Sequence, residues 1–464
     1  MRLESYQETA VAWICRKKVG MVVSPAGSGK TIIAAAAIDR VLKSRPRDHK
    51  PRIRWICNTT EQQDQAVAAL KAFESIYRLA DVEVKCAQSM GDWSDSDLLV
   101  VDECHHSTAE TWLDQIKTAR GALWGFTATP YGESEELNKE LDKIFGNTIH
   151  TVERSQVKRL VGAQVVMLKA FDPSKSSEID REIKRLIIER VGQANRMTLS
   201  HAKSLAANNI VPIITVEAKL IPYFFEALKN YIPDSLAINE PLTIDEENDL
   251  AVEMDKAPID AIACSLSALK SVTSAAKQSS VKFKPLSSAP VTFDELRRMA
   301  SWEAIQRIGI SGDDARTQAG IEKAIEAMNQ GRRGLVLVGT VEHGEKIAKK
   351  IGSRSAVCHS KLGKKRRAKV LEDFRQGNLR CIVATSLADE GLDLPMADFL
   401  VMISGGRSQR KAEQRTGRVL RAFDGKKMAT IYDFLDPHHR TMENQSQRRV
   451  ETYSRLGYQI EYEN

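Results

Sequence analysis

The stretch Ser24-Pro25-Ala26-Gly27-Ser28-Gly29-Lys30-Thr31 decides the fold, because it joins a short apolar run to a helical pattern. The run Val19–Ser24 has the continuous apolar character of a strand that is buried on both faces, and Ile32–Leu42 has the pattern of a helix. Gly27 and Gly29 allow backbone N–H groups to turn toward an anion, and the helix N-terminus adds its dipole. This context indicates a phosphate-binding loop rather than a chance glycine-rich turn.

The same kind of apolar run recurs along the chain in two groups. Continuous runs, without in-and-out alternation, are typical of parallel strands covered by helices on both faces, so we predict an α/β protein with two parallel-sheet domains in tandem. The runs besides Val19–Ser24 are Ile53–Cys57, Leu98–Asp102 and Leu123–Thr127 in the first group, and Leu335–Val338, Cys381–Ala384, Phe399–Ile403 and Thr430–Phe434 in the second.

The sequence between the two groups differs in character. Ile179–Ala206 has a helical pattern with mixed charge, and Ser265–Ser288 is rich in Ser, Ala and Lys. We therefore predict a mostly helical insertion between the two sheets. The expected domains are residues 1–150 for the first sheet, 151–172 for a linker and the start of the second lobe, 173–300 for the insertion, and 301–464 for the second sheet.

An acidic pair ends the third of the first four strands. Asp102-Glu103-Cys104-His105 follows four apolar residues, which places it at the carboxyl end of a buried strand. Lys30 can reach the β- and γ-phosphates of a nucleotide, and the Thr31 hydroxyl can bind Mg²⁺. Asp102 can hold the water shell of the metal, while Glu103 can polarise an attacking water as general base. The combination predicts hydrolysis of a nucleoside triphosphate with Mg²⁺ as cofactor.

Composition and charge exclude several other classes of protein. The 464 residues are 42% hydrophobic and 28% charged, which is ordinary for a globular chain of two or three domains. No apolar run reaches 18 residues and the N-terminus lacks a signal-peptide pattern, so we expect a cytoplasmic protein with no membrane partner. The seven cysteines are scattered without a CxxC pair, which favours buried thiols over zinc or disulfides.

The net charge of +7 is unevenly distributed. Residues 361–380 carry eight basic and two acidic side chains, and residues 401–450 carry eleven basic and five acidic ones. Residues 234–260 carry nine acidic side chains against Lys256 alone. Basic clusters of this size are usually solvated surfaces, and their position beside the other motifs increases the expectation that they contact nucleic-acid phosphates.

Asp-Glu-Cys-His at 102–105 resembles the DExH box of superfamily 2 helicases. Asn58 to Gln65 is similar to motif Ia, with Thr59 and Gln65 on the threonine and glutamine of that family. Thr127-Ala128-Thr129-Pro130 is similar to motif III, which implies that His105, Thr127 and Thr129 couple the nucleotide site to the nucleic-acid site. Leu3 to Gln7 resembles the Q-motif, so the resemblance gives Gln7 the adenine edge, while a surface glutamine remains the alternative.

The second group of strands carries the remaining resemblances. Gly339-Thr340 resembles motif IV, and the stretch from Ile382 to Pro395 resembles motif V. By that resemblance Thr340 and Thr385 contact nucleic acid, and Gly391 and Asp393 approach the ribose of the nucleotide.

The stretch from Gln414 to Arg421 resembles motif VI. The resemblance implies that Gln414 faces the γ-phosphate and that Arg418 and Arg421 are the arginine fingers. Residues three apart share one face of a helix, and guanidinium groups neutralise the charge that spreads over the γ-oxygens during transfer.

The motif style is closest to XPB-like and type III restriction-like (ResIII) helicases and to phage helicases such as UvsW. The resemblance covers about residues 1–160 and 301–464 and implies two RecA-like domains. It implies an ATP-dependent monomer that acts on DNA rather than RNA, with a possible protein partner for the 173–300 insertion. A nucleic-acid-stimulated ATPase subunit without unwinding, an RNA helicase and an inactive nucleic-acid scaffold are the alternatives, the last disfavoured because Lys30, Glu103, Arg418 and Arg421 are all present.

Overall fold

A computed structural model describes residues 2–44, 49–89, 93–131, 135–158, 160–256, 259–359, 361–385, 394–406 and 409–463. The chain divides into two compact units, one formed by residues 1–171 with 314–464 and the other by residues 172–313. No helix in these described ranges is long and apolar enough to cross a membrane.

The first unit begins with a six-stranded parallel sheet in the order β3-β2-β4-β5-β1-β6. Its core is split by the sheet, since Val22 and Val100 pack on one face while Met21 and Leu99 pack on the other. The elements are β1 (Val19–Val23), β2 (Arg52–Cys57), β3 (Asp81–Cys86), β4 (Leu98–Asp102), β5 (Ala122–Thr127), β6 (Ile149–Thr151), α1 (Ser5–Ile14), α2 (Lys30–Ser44), α3 (Thr60–Lys71), α4 (Ser75–Leu79), α5 (Glu110–Thr118) and α6 (Glu135–Phe145).

The second unit, residues 172–313, is inserted in the chain between the first strand of the second sheet, at residues 162–168, and the remaining strands of that sheet. It contains β8 (Ile210–Val216), β9 (Ser235–Ile238), β10 (Ala261–Ser265), β11 (Lys282–Ser287), α7 (Ser174–Ala194), α8 (Arg196–Ala206), α9 (Ile221–Lys229), α10 (Ile244–Lys256), α11 (Leu269–Gln278) and α12 (Phe293–Ala304), followed by a π-helical turn (Ile305–Ile310).

The first unit closes with a seven-stranded parallel sheet in the order β13-β14-β12-β15-β16-β7-β17. Each of the eight strands expected from apolar runs lies in one of the two sheets of this unit, which confirms the predicted fold class. The elements of the second sheet are β7 (Gly162–Leu168), β12 (Gly334–Leu337), β13 (Ser355–Cys358), β14 (Cys381–Ala384), β15 (Phe399–Met402), β16 (Met428–Phe434), β17 (Gln459–Glu463), α13 (Asp314–Asn329), α14 (Val341–Ile351), α15 (Lys364–Gln376), α16 (Gln409–Val419) and α17 (Arg440–Arg455).

Most residues of the insertion that lie in regular elements are helical, as expected for 173–300. The sequence did not indicate the four-stranded parallel sheet, in the order β11-β8-β10-β9, that forms its centre. Its end was also misplaced, because α12 buries Leu296, Ala300 and Ala304 and packs on α7 of the same unit. After the insertion, the second lobe of the first unit therefore resumes at Asp314 rather than at residue 301.

The sheet of the insertion repeats the strand order of the second lobe. Numbered along the chain, its four strands lie in the order second, third, first, fourth, as β9-β10-β8-β11. The strands β12 to β15 lie in the same order, as β13-β14-β12-β15. The insertion is thus a third parallel α/β sheet.

Candidate active site

The phosphate-binding loop turns between β1 and α2 through two glycines with positive φ, 86° at Gly27 and 81° at Gly29. Helix α1 tethers the loop, since the Tyr6 hydroxyl and the Gln7 Nε2 group both donate to the Ser28 carbonyl, at 2.8 and 3.0 Å. Position 29 favours glycine because its positive φ is strained for other residues and a methyl group there would come within 2.8 Å of Gln7 Nε2. The loop is therefore preformed with backbone N–H groups available to an anion.

Gln7 is buried between the loop and the start of α1. Its Oε1 atom accepts the Glu4 backbone N–H at 3.0 Å while Nε2 holds Ser28, which leaves one N–H for a ligand. A cavity of about 650 Å³ beside it includes Leu3, Tyr6 and Lys158 in its lining. Recognition of adenine by Gln7 stays a prediction. Tyr6 was missed from the sequence, where only its position beside Gln7 could have indicated it.

The acidic pair lies at the end of β4, close to the loop. Glu103 has a left-handed backbone (φ 49°, ψ 49°), a conformation that is costly for a residue with a side chain and that occurs preferentially at functional sites. The Glu103 carboxylate lies 3.8 Å from Lys30 Nζ. Burial, with the neighbouring Glu103 charge, raises the pKa of Asp102 to about 7, and the Lys30 charge acts in the opposite direction.

The three residues expected to couple the two sites form one hydrogen-bonded chain with Glu103. His105 Nδ1 lies 2.9 Å from Thr127 Oγ1, and the Thr127 hydroxyl lies 3.4 Å from Glu103 Oε2. The Thr129 backbone N–H donates to Thr127 Oγ1 at 3.2 Å. The buried Thr129 hydroxyl has no hydrogen-bond partner in the part of the chain that the structure describes. These hydrogen bonds therefore link Glu103, the candidate general base, to the end of β5.

The helix that resembles motif VI, α16, lies against the phosphate-binding loop. A methyl group at Gly417 would come within 2.5 Å of Ala26 Cβ. A methyl group at Gly27 would come within 3.1 Å of Arg421 Cγ and 3.3 Å of Leu160 Cδ2. Arg421 also pairs with Leu160 in an isolated antiparallel bridge. Arg421 is thus placed at the loop, but it lies two residues past the end of α16 and does not share a helix face with Arg418 as the sequence predicted. Leu160 is a contact that the sequence did not indicate.

The structure gives less information on the other residues expected at the nucleotide site. Thr31 is the second residue of α2, directly after Lys30, and Gln414 is half-buried on α16. Arg418 lies on α16, but its side chain is outside what the structure describes, and Gly391 and Asp393 lie outside the described residues.

Three of the four residues expected to contact nucleic acid follow the carboxyl ends of strands, namely Thr59, Thr340 and Thr385. Thr59 and Thr340 are the N-caps of α3 and α14, accepting backbone N–H groups from Gln62 and His343. Thr385 directly follows β14, and Thr340 follows β12. These two strands are parallel neighbours, so both threonines lie at the same edge of the sheet. Gln65 is exposed on α3 of the first sheet. Thr59 and Thr340 therefore also stabilise the N-termini of their helices.

Two family models match the chain in the order of its sheets. The type III restriction enzyme res subunit matches residues 1–96, and the helicase conserved C-terminal domain matches residues 319–423. These ranges contain the phosphate-binding loop and α16, respectively.

Individual proteins are similar over different lengths. "Putative helicase 22" of a Sulfolobus islandicus filamentous virus is 32% identical over 107 residues, 22% of this chain and 19% of that protein. The chain spans about a fifth of the length of this relative and of several others. "DNA 3'-5' translocase XPB2" of Sulfurisphaera tokodaii is 23% identical over 440 residues, 91% of this chain and 80% of that protein.

Among solved structures, the Hef helicase domain of Pyrococcus furiosus is 17% identical, with a TM-score of 0.44 over 93% of this chain and 95% of that one. The two family models match in order on the two sheets that carry the candidate site, over 96 and 105 of the 464 residues. In these two ranges the chain is similar to the type III restriction enzyme res subunit and to the helicase conserved C-terminal domain.

Proposed function

We propose that this chain is an ATP-driven motor on DNA, which unwinds or remodels duplex or branched DNA as ATP is hydrolysed between its two lobes. The observation that carries the proposal is the meeting of Lys30, Glu103 and Arg421 around one preformed loop, with α16 of the second lobe packed against Ala26 of the first. Because groups of both lobes meet at this loop, ATP hydrolysis there can change how the two lobes pack on each other.

Each group has a role that its position supports. Lys30 neutralises the β- and γ-phosphates, and Glu103 orients and polarises the attacking water. Arg421, and Arg418 by resemblance, neutralise charge that develops on the γ-oxygens through forked hydrogen bonds. The Glu103–Thr127–His105 contacts fix the carboxylate and connect it to Thr129. Gln414 completes this set as a γ-phosphate contact.

Mg²⁺ fits the oxygen groups of the site. Asp102 is a buried carboxylate whose pKa is raised to about 7, so its ionised form needs a nearby cation in addition to Lys30. The Asp102 carboxylate and the Thr31 hydroxyl are hard oxygen ligands of the kind that Mg²⁺ prefers. The ion would supply charge neutralisation at the phosphates.

DNA is favoured as the substrate by the similarity to the DNA 3'-5' translocase XPB2 over most of the chain, and by the basic stretches at 361–380 and 401–450. Thr59, Gln65, Thr340 and Thr385 are the proposed backbone contacts. The insertion, whose α10 carries six acidic residues against Lys256, is proposed to contact a protein partner or one arm of a branched substrate away from the phosphate path.

Two substitutions test the hydrolytic assignment. Lys30→Ala should weaken both ATP binding and hydrolysis, because a phosphate-neutralising charge is lost. Glu103→Gln should keep ATP binding and lower turnover by on the order of a hundredfold or more, because only the base is removed. Nucleotide affinity and steady-state turnover with duplex, forked and single-stranded DNA and RNA measure both effects.

Lys43→Ala is the matched control, since Lys43 is exposed on the same helix and pairs with Asp39. Near-normal turnover in Glu103→Gln would contradict its role as the base. Stimulation by RNA but not by DNA would contradict the proposed substrate. A strand-separation assay then divides a helicase from a duplex translocase.

A further inference from the structure

Tyr458 lies in the turn between α17 and β17 and touches the motif VI helix. Its hydroxyl is 3.2 Å from Thr416 Oγ1, and the Thr416 hydroxyl in turn donates to the Glu413 carbonyl at 3.2 Å. The Tyr458 ring is 7% exposed and stacks on Tyr453, with centroids 6.0 Å apart and an interplanar angle of 19°. Since burial raises the pKa of Tyr458, the phenol stays protonated and can donate to Thr416.

Arg154 approaches the same ring from the segment that joins the two sheets. Its guanidinium carbon lies 5.0 Å from the Tyr458 ring centroid, within the range of a cation–π contact. Arg154 Nη2 also donates to the Val161 carbonyl at 3.5 Å, and the Val161 N–H donates to the Leu420 carbonyl at 2.8 Å. The joining segment is thus attached to both Tyr458 and the end of α16.

A second link runs between the end of α17 and α16. Arg455 lies 3.6 Å from Glu413, whose side chain is 16% exposed. One turn further along α16, Gly417 packs on Ala26 of the phosphate-binding loop. Helix α16 therefore contacts Tyr458 and Arg455 on one side, and on another side it packs against the loop that would hold the phosphates.

We propose that Tyr458 and Arg154 are positioning residues for ATP hydrolysis, which fix α16, and with it Arg421, against the phosphate-binding loop. The proposal rests on the proposed hydrolysis of ATP by this chain. Neither residue need touch the nucleotide. A shift of the helix by a fraction of an ångström would misplace the guanidinium groups in the transition state, where their geometry matters most.

Tyr458→Phe removes the hydroxyl and keeps the ring under Arg154. We expect kcat for ATP to fall by roughly five- to tenfold, the effect of one lost hydrogen bond, while KM for ATP stays within about twofold. The matched control is Tyr462→Phe, since Tyr462 is 59% exposed in the adjoining strand β17. Thr416→Val should show the same change, and the double variant should be no worse than either single one.

Arg154 is tested by replacement with a cation and with an apolar chain. Arg154→Lys should retain most of kcat because an ammonium can also lie over the ring, whereas Arg154→Met should lower kcat with unchanged KM. Melting temperatures of all variants should lie within about 2 °C of the parent. If the two residues served only to stabilise the fold, the melting temperatures would fall.

Absence of any ATP turnover in the parent protein would overturn the proposed function itself. Normal turnover in the parent together with unchanged kcat in Tyr458→Phe and Arg154→Met would overturn only the positioning role. A rise in KM at constant kcat, or loss of activity that follows a fall in melting temperature, would also overturn it.

Discussion

His343, on α14 of the second lobe, couples stability to pH at the scale of one residue. Its side chain is 3% exposed, and Nε2 lies 2.9 Å from Thr317 Oγ1. Burial, with Lys346 and Arg316 nearby, lowers the pKa of His343 from 6.5 to about 4. The unfolded state therefore binds a proton more readily than the folded state between these values, and the stability of the fold declines as pH falls through that window.

His343→Gln should remove this dependence, because an amide can replace the bond to Thr317 without titrating. We expect the unfolding free energy of the parent protein to fall by roughly 2–3 kcal/mol more than that of the variant between pH 7 and pH 4. Urea unfolding at several pH values measures the difference. Parallel curves for the two proteins would show that His343 does not titrate in this window.

Several site residues could be predicted at this scale because their chemistry is written in short motifs. Lys30, Glu103 and Thr127 lie together as the motifs indicated. Tyr6 and Leu160 could not be found, because each acts through one contact with the loop that depends on how distant segments pack. Their residue types alone predict only core positions.

At the scale of elements, the approach of α16 to the phosphate-binding loop leaves no space for a side chain at Gly417. Gly417→Ala would place a methyl group 2.5 Å from Ala26 Cβ, so the helix must move away from the loop. We expect ATP turnover to fall by at least about tenfold, since Arg421 moves with the helix. Gly162→Ala is the control, because nothing lies within 4 Å of a methyl group there.

Stopped-flow binding of a fluorescent ATP analogue, measured beside turnover, separates nucleotide capture from hydrolysis in Gly417→Ala. Lys30 remains in place, so capture should persist while hydrolysis falls. Equal turnover in Gly417→Ala and Gly162→Ala would mean that the contact with Ala26 is not maintained during catalysis.

Elements were predictable where strands are long apolar runs and not where they are short or interrupted. Strand β8 contains Pro212, which removes a ladder donor and argues against a strand when only the sequence is seen. In the structure Pro212 precedes the stretch that pairs with β10, which begins at Ile213, and on the other side of the strand it lies opposite Lys284 of the edge strand β11. Strand β11 lies at the edge of its sheet, where Lys282, Lys284 and Pro285 are tolerated.

At the scale of the whole molecule, the insertion begins and ends at neighbouring points. The Asp172 N–H donates to Asp313 Oδ2 at 3.1 Å, so a short Gly/Ser linker can replace residues 173–312. Basal ATPase should survive this deletion, since no hydrolytic motif is removed. Stimulation by branched DNA or by a partner should fall, while stimulation by single-stranded DNA should stay.

Parallel ATPase titrations with forked, duplex and single-stranded DNA measure the result. If DNA affinity instead rises, most clearly at low salt, the acidic helix α10 competes with DNA. Unchanged affinity, stimulation and unwinding in a well-folded deletion would mean that the insertion only decorates the motor.

The position of β7 in the chain has a consequence for folding during synthesis. It pairs with β16 and β17, yet more than half of the chain is translated between β7 and β16. At about 5–20 residues per second, its buried Val165 and Met167 wait on the order of tens of seconds for partners. The insertion, emerging in that interval, can complete its own sheet first. The nascent chain therefore exposes the apolar side chains of β7 until the stretch from β16 to β17 has left the ribosome.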